Sequence, residues 1–296
     1  MQLKRFLAAT AAALSLGAGA CASADLPPPG AVPGPALWQV ADEDTTIYLF
    51  GTVHALPQTT TWYDSRIQRA FDASDELVTE IDVTGAANST QALQAASQLP
   101  ADQSLRTLMA ADNRQQYEAA LVGLGLPVEA LDRYEPWFAA MTLSLLPLLR
   151  SGYQTQSGVE LSLNGRAGER KRDALETVEQ QVALFDTLPQ DAQLEFLDET
   201  VEKIPEATQT LDAMVAEWLK GDAVQLANLL NAELTDPVLY ERLLTSRNAS
   251  WAGWIENRLE QPGTVFIAVG AGHLAGTGSV QEQLERRGVR VKRIWQ

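Results

Sequence analysis

The chain has 296 residues, 46% of them hydrophobic and 20% charged, which is enough to bury a large core without disulfide or metal staples. Its formal net charge of −16 repels phosphate backbones and anionic lipid headgroups and so argues against nucleic acid as a partner. The single cysteine, Cys21, lies in an N-terminal leader, so the domain beyond it has no disulfide and no thiolate for ligation or attack.

The leader, MQLKRFLAATAAALSLGAGACASA, places Lys4 and Arg5 before an apolar stretch and then small residues, the layout of a secretory signal peptide over residues 1–24. Its apolar part is shorter than the ~20 residues of a membrane span. Ala22-Ser23-Ala24 fits simple cleavage, whereas Cys21 after Ala18-Gly19-Ala20 is a degenerate lipoprotein box without the usual leucine. Simple cleavage is the preferred reading, and a lipid on Cys21 would be the one membrane link. The expected location is extracytoplasmic, periplasmic or secreted, and loss of Lys4 and Arg5 takes the charge from −16 to −18. Residues 25–36, DLPPPGAVPGPA, read as an extended tether, leaving 37–296 as a single domain.

Thr46-Ile47-Tyr48-Leu49-Phe50 is β-branched and aromatic, which predicts a strand ending at Gly51. A helix is expected from Trp62 to Phe71, and alternation from Glu76 to Asp82 predicts a second strand, making a β-α-β opening. Residues 85–260 carry a mostly helical pattern, with helix starts at Ser89, Asp191 and Asp236, and read as a helical insertion. Within it, the apolar run Trp137 to Leu149 contains Pro147 and is too short for a span, so it is expected to be a core helix. A helix near Gly158 to Gly168 and a short strand Asp173 to Glu176 follow. The run Thr264 to Val269 predicts a strand covered on both faces, then a helix from Ser279 to Arg287 and a last strand from Val289 to Trp295. The predicted fold class is mixed α/β, a central sheet built from N- and C-terminal β-α-β units around a large helical insertion.

Only two histidines are present, His54 in LFGTVH and His273 in AVGAGHL, each three residues after a glycine that ends an apolar run. A loop leaving the strand there puts the imidazole at the carboxyl edge of an α/β sheet, where ligands gather. Glycine at that point permits a sharp turn, with positive φ if needed, and removes a crowding side chain. Neighbouring strands would bring the two rings together. Glu80, with Asp82 two residues on, occupies the matching place on the second strand. Two imidazoles and one carboxylate could hold a divalent ion that acidifies bound water, although an exposed strand carboxylate explains Glu80 equally well. Arg242 and Arg247, with Asn248, precede the last histidine strand, and an arginine there could stabilise an oxyanion or grip a carboxylate.

H-E-x-x-H, G-x-S-x-G and phosphate-loop signatures are absent from the sequence. Gly270 to Gly276 is a poor dinucleotide turn: its third glycine is one place late, and no acidic residue follows to hold a ribose.

LFGTVH, LVTEID, SGVELSLNGRA, ALETVEQQVALFDTLPQDAQ, LLTSRNASWAGWI and the C-terminal TVFIAVGAGHLAGTGSVQEQLERRGVRVKRI run in order over residues 37–296. This set resembles the TraB/GumN family, related to the Tiki metalloproteases and to an erythromycin-esterase and haem-binding ChaN-like fold group. The resemblance implies a metal-dependent hydrolase, most readily a peptidase, with His54, Glu80 and His273 as ligands of a divalent ion (Mn, Co or Zn) and Arg247 contacting substrate or transition state. Where the family motif often reads G-[IV]-D, this chain has Gly158-Val159-Glu160, a departure that argues against a role for that carboxylate. Two rivals stand beside it: a metal-independent esterase-like hydrolase with histidine as general base, and a binding protein for haem, iron or a small ligand. The substrate, peptide or small molecule, and the oligomeric state do not follow from the sequence.

Overall fold

The computed structural model describes residues 32–82, 93–234 and 236–295. The signal peptide, the Cys21 box, the tether up to residue 31 and the helix start at Ser89 lie outside the described residues.

Eight strands are present among these residues: β1 (Leu37–Ala41), β2 (Thr45–Thr52), β3 (Leu56–Pro57), β4 (Glu76–Thr79), β5 (Tyr153–Gln154), β6 (Lys171–Ala174), β7 (Gly263–Gly270) and β8 (Val291–Ile294). Six form one mixed sheet in the order β6-β4-β7-β2-β1-β8. The run β6-β4-β7-β2 is parallel, while β1 lies antiparallel to both β2 and β8. β3 and β5 make a separate two-residue ribbon.

The near-continuous apolar runs of β2 and β7 are buried on both faces. Phe50, Leu77, Phe266 and Ala268 face one way, against Ile67 and Phe71 of the helix Ser65–Asp72, Leu163 of Val159–Arg166 and Trp218 of Ala207–Lys220. Ile47, Leu49, Val78, Val265 and Ile267 face the other way, against Trp251 and Ile255 of the helix Ser246–Leu259 and Leu284 of Val280–Arg286. Each strand therefore needs apolar side chains at consecutive positions, and truncating one such as Phe266 to alanine would cost about 3–5 kcal/mol. A third core joins the helices Ala111–Gly123, Pro136–Arg150 and Gln190–Lys203 through Tyr117, Leu143 and Leu197.

Helix starts follow local chemistry. Asp64 accepts from the backbone N–H groups of Arg66 and Ile67, Ser279 from that of Glu282, and Asp236 from those of Val238 and Leu239. The expected start at Asp191 falls one residue late, since that helix begins at Gln190. The run at Trp137 is a partly buried helix, and among the described residues no helix is long and apolar enough to cross a membrane.

Several boundaries differ from the sequence reading. β2 runs past Gly51 because Gly51 and Thr52 still pair with Val269 and Gly270. β4 stops at Thr79, three residues short of Asp82, where the Thr79 hydroxyl donates to the Ile81 carbonyl and the chain turns. β6 begins earlier than expected and ends at Ala174, leaving Leu175 and Glu176 beyond the strand. β8 joins β1 rather than β7, so the C-terminal unit closes the far edge of the sheet.

The chain leaves β2 through the helix on one face and leaves β7 through the helix on the other. These two strands are adjacent and parallel, so their carboxyl ends form the switch point of the sheet, where a crevice opens. His54 and His273 follow those two strands.

Candidate active site

The two G-x-x-H glycines have spatial jobs. A Cβ on Gly51 would sit 3.1 Å from Ala271 Cα and 3.2 Å from Ala271 Cβ, so the second histidine loop can cross the first strand only where no side chain projects. A Cβ on Gly270 would meet Glu80 Oε1 at 3.0 Å, His273 Cδ2 at 3.6 Å and His54 Nε2 at 4.0 Å. Both imidazoles and the carboxylate therefore converge on Gly270. Positive φ is not needed there: Gly270 has φ −48° and ψ 133°, so close approach is the reason for the glycine.

His273 is buried, and its ring orientation is set by Asn248. The Asn248 amide nitrogen donates to the Gly278 carbonyl at 2.9 Å, so its Oδ1 faces His273 Nδ1 at 2.6 Å. Nδ1 then carries the proton and Nε2 keeps its lone pair, which accepts from Arg247 Nη1 at 2.9 Å. Burial pushes the His273 pKa down to about 3, the pull of Glu80 being too small to reverse it. The Trp251 indole packs on the ring at 4.3 Å between centroids.

His54 is the opposite case. Its side chain is 73% exposed, with Nδ1 2.6 Å from Glu160 Oε1, an oxygen that also accepts from the Thr52 hydroxyl at 2.5 Å. The bond to Glu160 raises the imidazole to about 9, the negative charges of Glu160 and Glu80 adding to it. Glu160 reaches it because the helix Val159–Arg166 starts against the histidine loop: Val159 N–H donates to the Val53 carbonyl, and any Cβ on Gly158 would overlap the His54 carbonyl. The sequence reading withheld a role from this carboxylate, and the structure places it in contact with His54.

Glu80 accepts from the Gly270 N–H at 2.7 Å, from Arg247 Nη2 at 2.8 Å and from the Gln181 amide at 2.9 Å. Burial favours the neutral acid, but the Arg247 guanidinium, the Gly270 amide and the His54 imidazolium hold the carboxyl well below its ordinary range. Arg247 is gripped on its other side by Glu176, whose oxygens accept from Nε and Nη2 at 2.9 and 2.8 Å and from the Trp251 indole and Gln181. Glu176 and Gln181 lie in the stretch ALETVEQQ, and their place in the network was not legible without the fold. Asp82 lies off the centre, beside residues 174–180, and Arg242 instead donates to the Ala183 carbonyl and Thr187 hydroxyl.

Two imidazole Nε2 atoms and a carboxylate oxygen are a donor set that suits a borderline divalent ion. In the observed arrangement Arg247 competes for that place. Arg247 takes the His273 lone pair and brings a fixed positive charge to the place, and both Glu80 oxygens already accept hydrogen bonds. Among the described residues, no group of three or more His, Cys, Asp or Glu side chains is disposed to hold a metal. A metal would have to displace the guanidinium.

Next to Arg247 and Glu176 lies an open cleft of about 780 Å³. The site thus combines an exposed His–carboxylate pair, a buried neutral histidine, a fixed arginine and adjoining space. That constellation is equipped for proton transfer near a polarisable substrate.

The chain belongs to the TraB/PrgY/gumN family, whose sequence model matches residues 36–293. It is similar to an uncharacterized protein of Treponema pallidum, 24% identical over 266 residues, covering 84% of this chain and 80% of that one. The uncharacterized protein YbaP of Escherichia coli is 26% identical over 243 residues, covering 80% of this chain and 87% of its own. YbaP of Shigella flexneri matches to the same extent. No solved structure matches the chain significantly.

Proposed function

We propose that this protein is a hydrolase of acyl-type bonds, peptide or ester, working at the carboxyl edge of the sheet with His54 as the proton-transfer group. The observation that carries the reading is the His54–Glu160 pair: Nδ1 is held at 2.6 Å, and the ring is exposed with Nε2 turned toward the Gly270 hollow. In this scheme a water oxygen bonds to the substrate carbonyl carbon while its proton passes to His54 Nε2. That proton then goes to the leaving nitrogen or oxygen as its bond to carbon breaks, giving an acid and an amine or alcohol. Arg247, whose donors are taken by His273, Glu80, Glu176 and the Leu243 carbonyl, keeps the groups beside the path in place, and Glu160 supports the imidazolium. Screening the purified chain against chromogenic esters and a peptide mixture, with His54→Gln as control, tests this. Hydrolysis that is equal in both proteins removes it.

A metal-dependent version is the second reading, favoured by one observation: Glu160 and Asn248 each hold an Nδ1, which directs both Nε2 atoms to serve as donors. His54, His273 and Glu80 would hold the ion, which would supply an acidified water and a Lewis acid. It requires Arg247 to give up its contact with His273. The leader sequence supports a place outside the cytoplasm, and mass spectrometry of the mature N-terminus tests both cleavage and lipid on Cys21.

A further inference from the structure

The cleft beside Arg247 has its own chemistry. Leu175, Leu184, Val238 and Trp251 give it apolar walls. Arg242 lines the same cleft. Its hydrogen bonds, both from Nη2, go to the neutral Ala183 carbonyl and Thr187 hydroxyl, so among the described residues no carboxylate is paired with it, although Glu241 lines the same cleft, and its Nε and Nη1 donors are unspent.

The backbone between the two arginines is irregular in a way that aligns them. Glu241–Thr245 is a π-helical turn inserted before the helix Ser246–Leu259. Such a turn closes i to i+5, so side chains five apart stack on one face, whereas in an α-helix they would diverge; π-turns are uncommon and recur at functional sites. The Ser246 hydroxyl donating to Glu241 at 2.8 Å, five residues apart, displays that stacking directly. Arg242 and Arg247 are also five apart. Both line the cleft, Arg242 from the π-helical turn and Arg247 from the first turn of the helix that follows.

We propose that this cleft binds the carboxyl-terminal end of an acyl-amino-acid or peptide substrate, with Arg242 receiving the free carboxylate, the apolar walls taking its side chain, and Arg247 marking the side of the reacting bond. The proposal rests on the hydrolase reading and deepens it: the substrates are ones that end in a free carboxylate close to the bond cut. Arg242 is a binding residue, and its unspent donors match a carboxylate in fork geometry.

The test uses paired libraries of N-acetyl dipeptides, one with free carboxylates and one with carboxamide ends. Each is offered to the full chain and to Arg242→Gln and Arg242→Lys, with retention and cleavage both read by mass spectrometry. Free acids are expected to be retained about tenfold or more over their amides by the native chain, with the preference lost in Arg242→Gln and largely kept in Arg242→Lys. Unchanged melting temperatures and circular dichroism exclude a folding defect. Equal retention of acids and amides, or a preference that survives Arg242→Gln, overturns the proposal. Because retention is read apart from cleavage, a carboxylate preference without hydrolysis would remove the hydrolase reading alone. His54-dependent hydrolysis without that preference would remove only the cleft assignment.

Discussion

Asn248 Oδ1 lies 2.6 Å from His273 Nδ1, and the same amide donates to the Gly278 carbonyl, so one side chain decides which ring nitrogen of the buried histidine carries the proton. The 15N shifts of His273 should report a single Nδ1–H tautomer. Asn248→Ala should lose that uniqueness and about 1–3 kcal/mol of stability, since it leaves a buried donor unpaired. Mixed tautomers in the native chain would contradict the assignment.

With only two histidines in the sequence, their titrations are readable separately. His54, raised to about 9, should change protonation on the alkaline side, and His273, lowered to about 3, should stay neutral above pH 4. The stability consequences differ in sign. Between about 6.5 and 3 the unfolded chain protonates His273 and the folded chain does not, so stability falls with acidification, by about 1.4 kcal/mol per unit. Glu80, held well below its ordinary value of 4.5, adds to this loss as the pH falls beneath that value. His54 stabilises below 6.5, and that contribution fades as pH rises through 9. A His273→Asn variant should show a flatter melting curve between pH 6 and 4.5, and an unchanged slope would count against the burial argument.

Three glycines separate cramped from open positions. Gly158→Ala should be severely destabilising, because the new methyl overlaps the His54 carbonyl oxygen; Gly51→Ala should cost about 1–3 kcal/mol through its contact with Ala271. Gly165→Ala, in the helix Val159–Arg166 with nothing within 4 Å, should stabilise by about 0.5–1 kcal/mol. Urea midpoints check the order, and equal effects at Gly51 and Gly165 would refute the close-approach account.

Arg247 bears on the metal question. If its guanidinium keeps the His273 lone pair, hydrolysis by untagged protein should survive prolonged chelation, and elemental analysis should find less than one transition metal per chain. One equivalent of Mn, Co or Zn, lost in His273→Ala, would establish the metal-dependent reading instead.

Much of this arrangement was readable in the sequence because the relevant signals are local. Consecutive apolar residues in 264–269 specify a doubly covered strand, and the side chains of Asp236 and Ser279 mark helix starts, whereas the first helix, expected from Trp62, begins at Ser65 behind the Asp64 cap. The sequence placed His54 and His273 just beyond two strands and Glu80 on a third, but that these strands are neighbours, which brings the three side chains together, comes from the sheet order and was only assumed. The roles of Glu160, Glu176 and Gln181 were not legible, because they depend on sequence separations of about 70 to 110 residues, which no periodicity encodes. β1 was missed as well: Leu37–Ala41 is a strand because β2 and β8 flank it, not because its five residues alternate strongly. Conversely, Glu76 to Asp82 alternates well but its ladder ends at Thr79, where the chain begins to turn, although the Glu176 N–H still donates to the Glu80 carbonyl.

The pH dependence of kcat/KM in the native chain and in Glu160→Gln tests the account most directly. Hydrolysis driven by His54 as base should rise with pH to an inflection near 9, and removing the carboxylate that raises the imidazole should move that inflection toward 6.5 while lowering the maximal rate about tenfold or more. An inflection that stays in place in Glu160→Gln, or turnover that persists undiminished in His54→Gln, would contradict it.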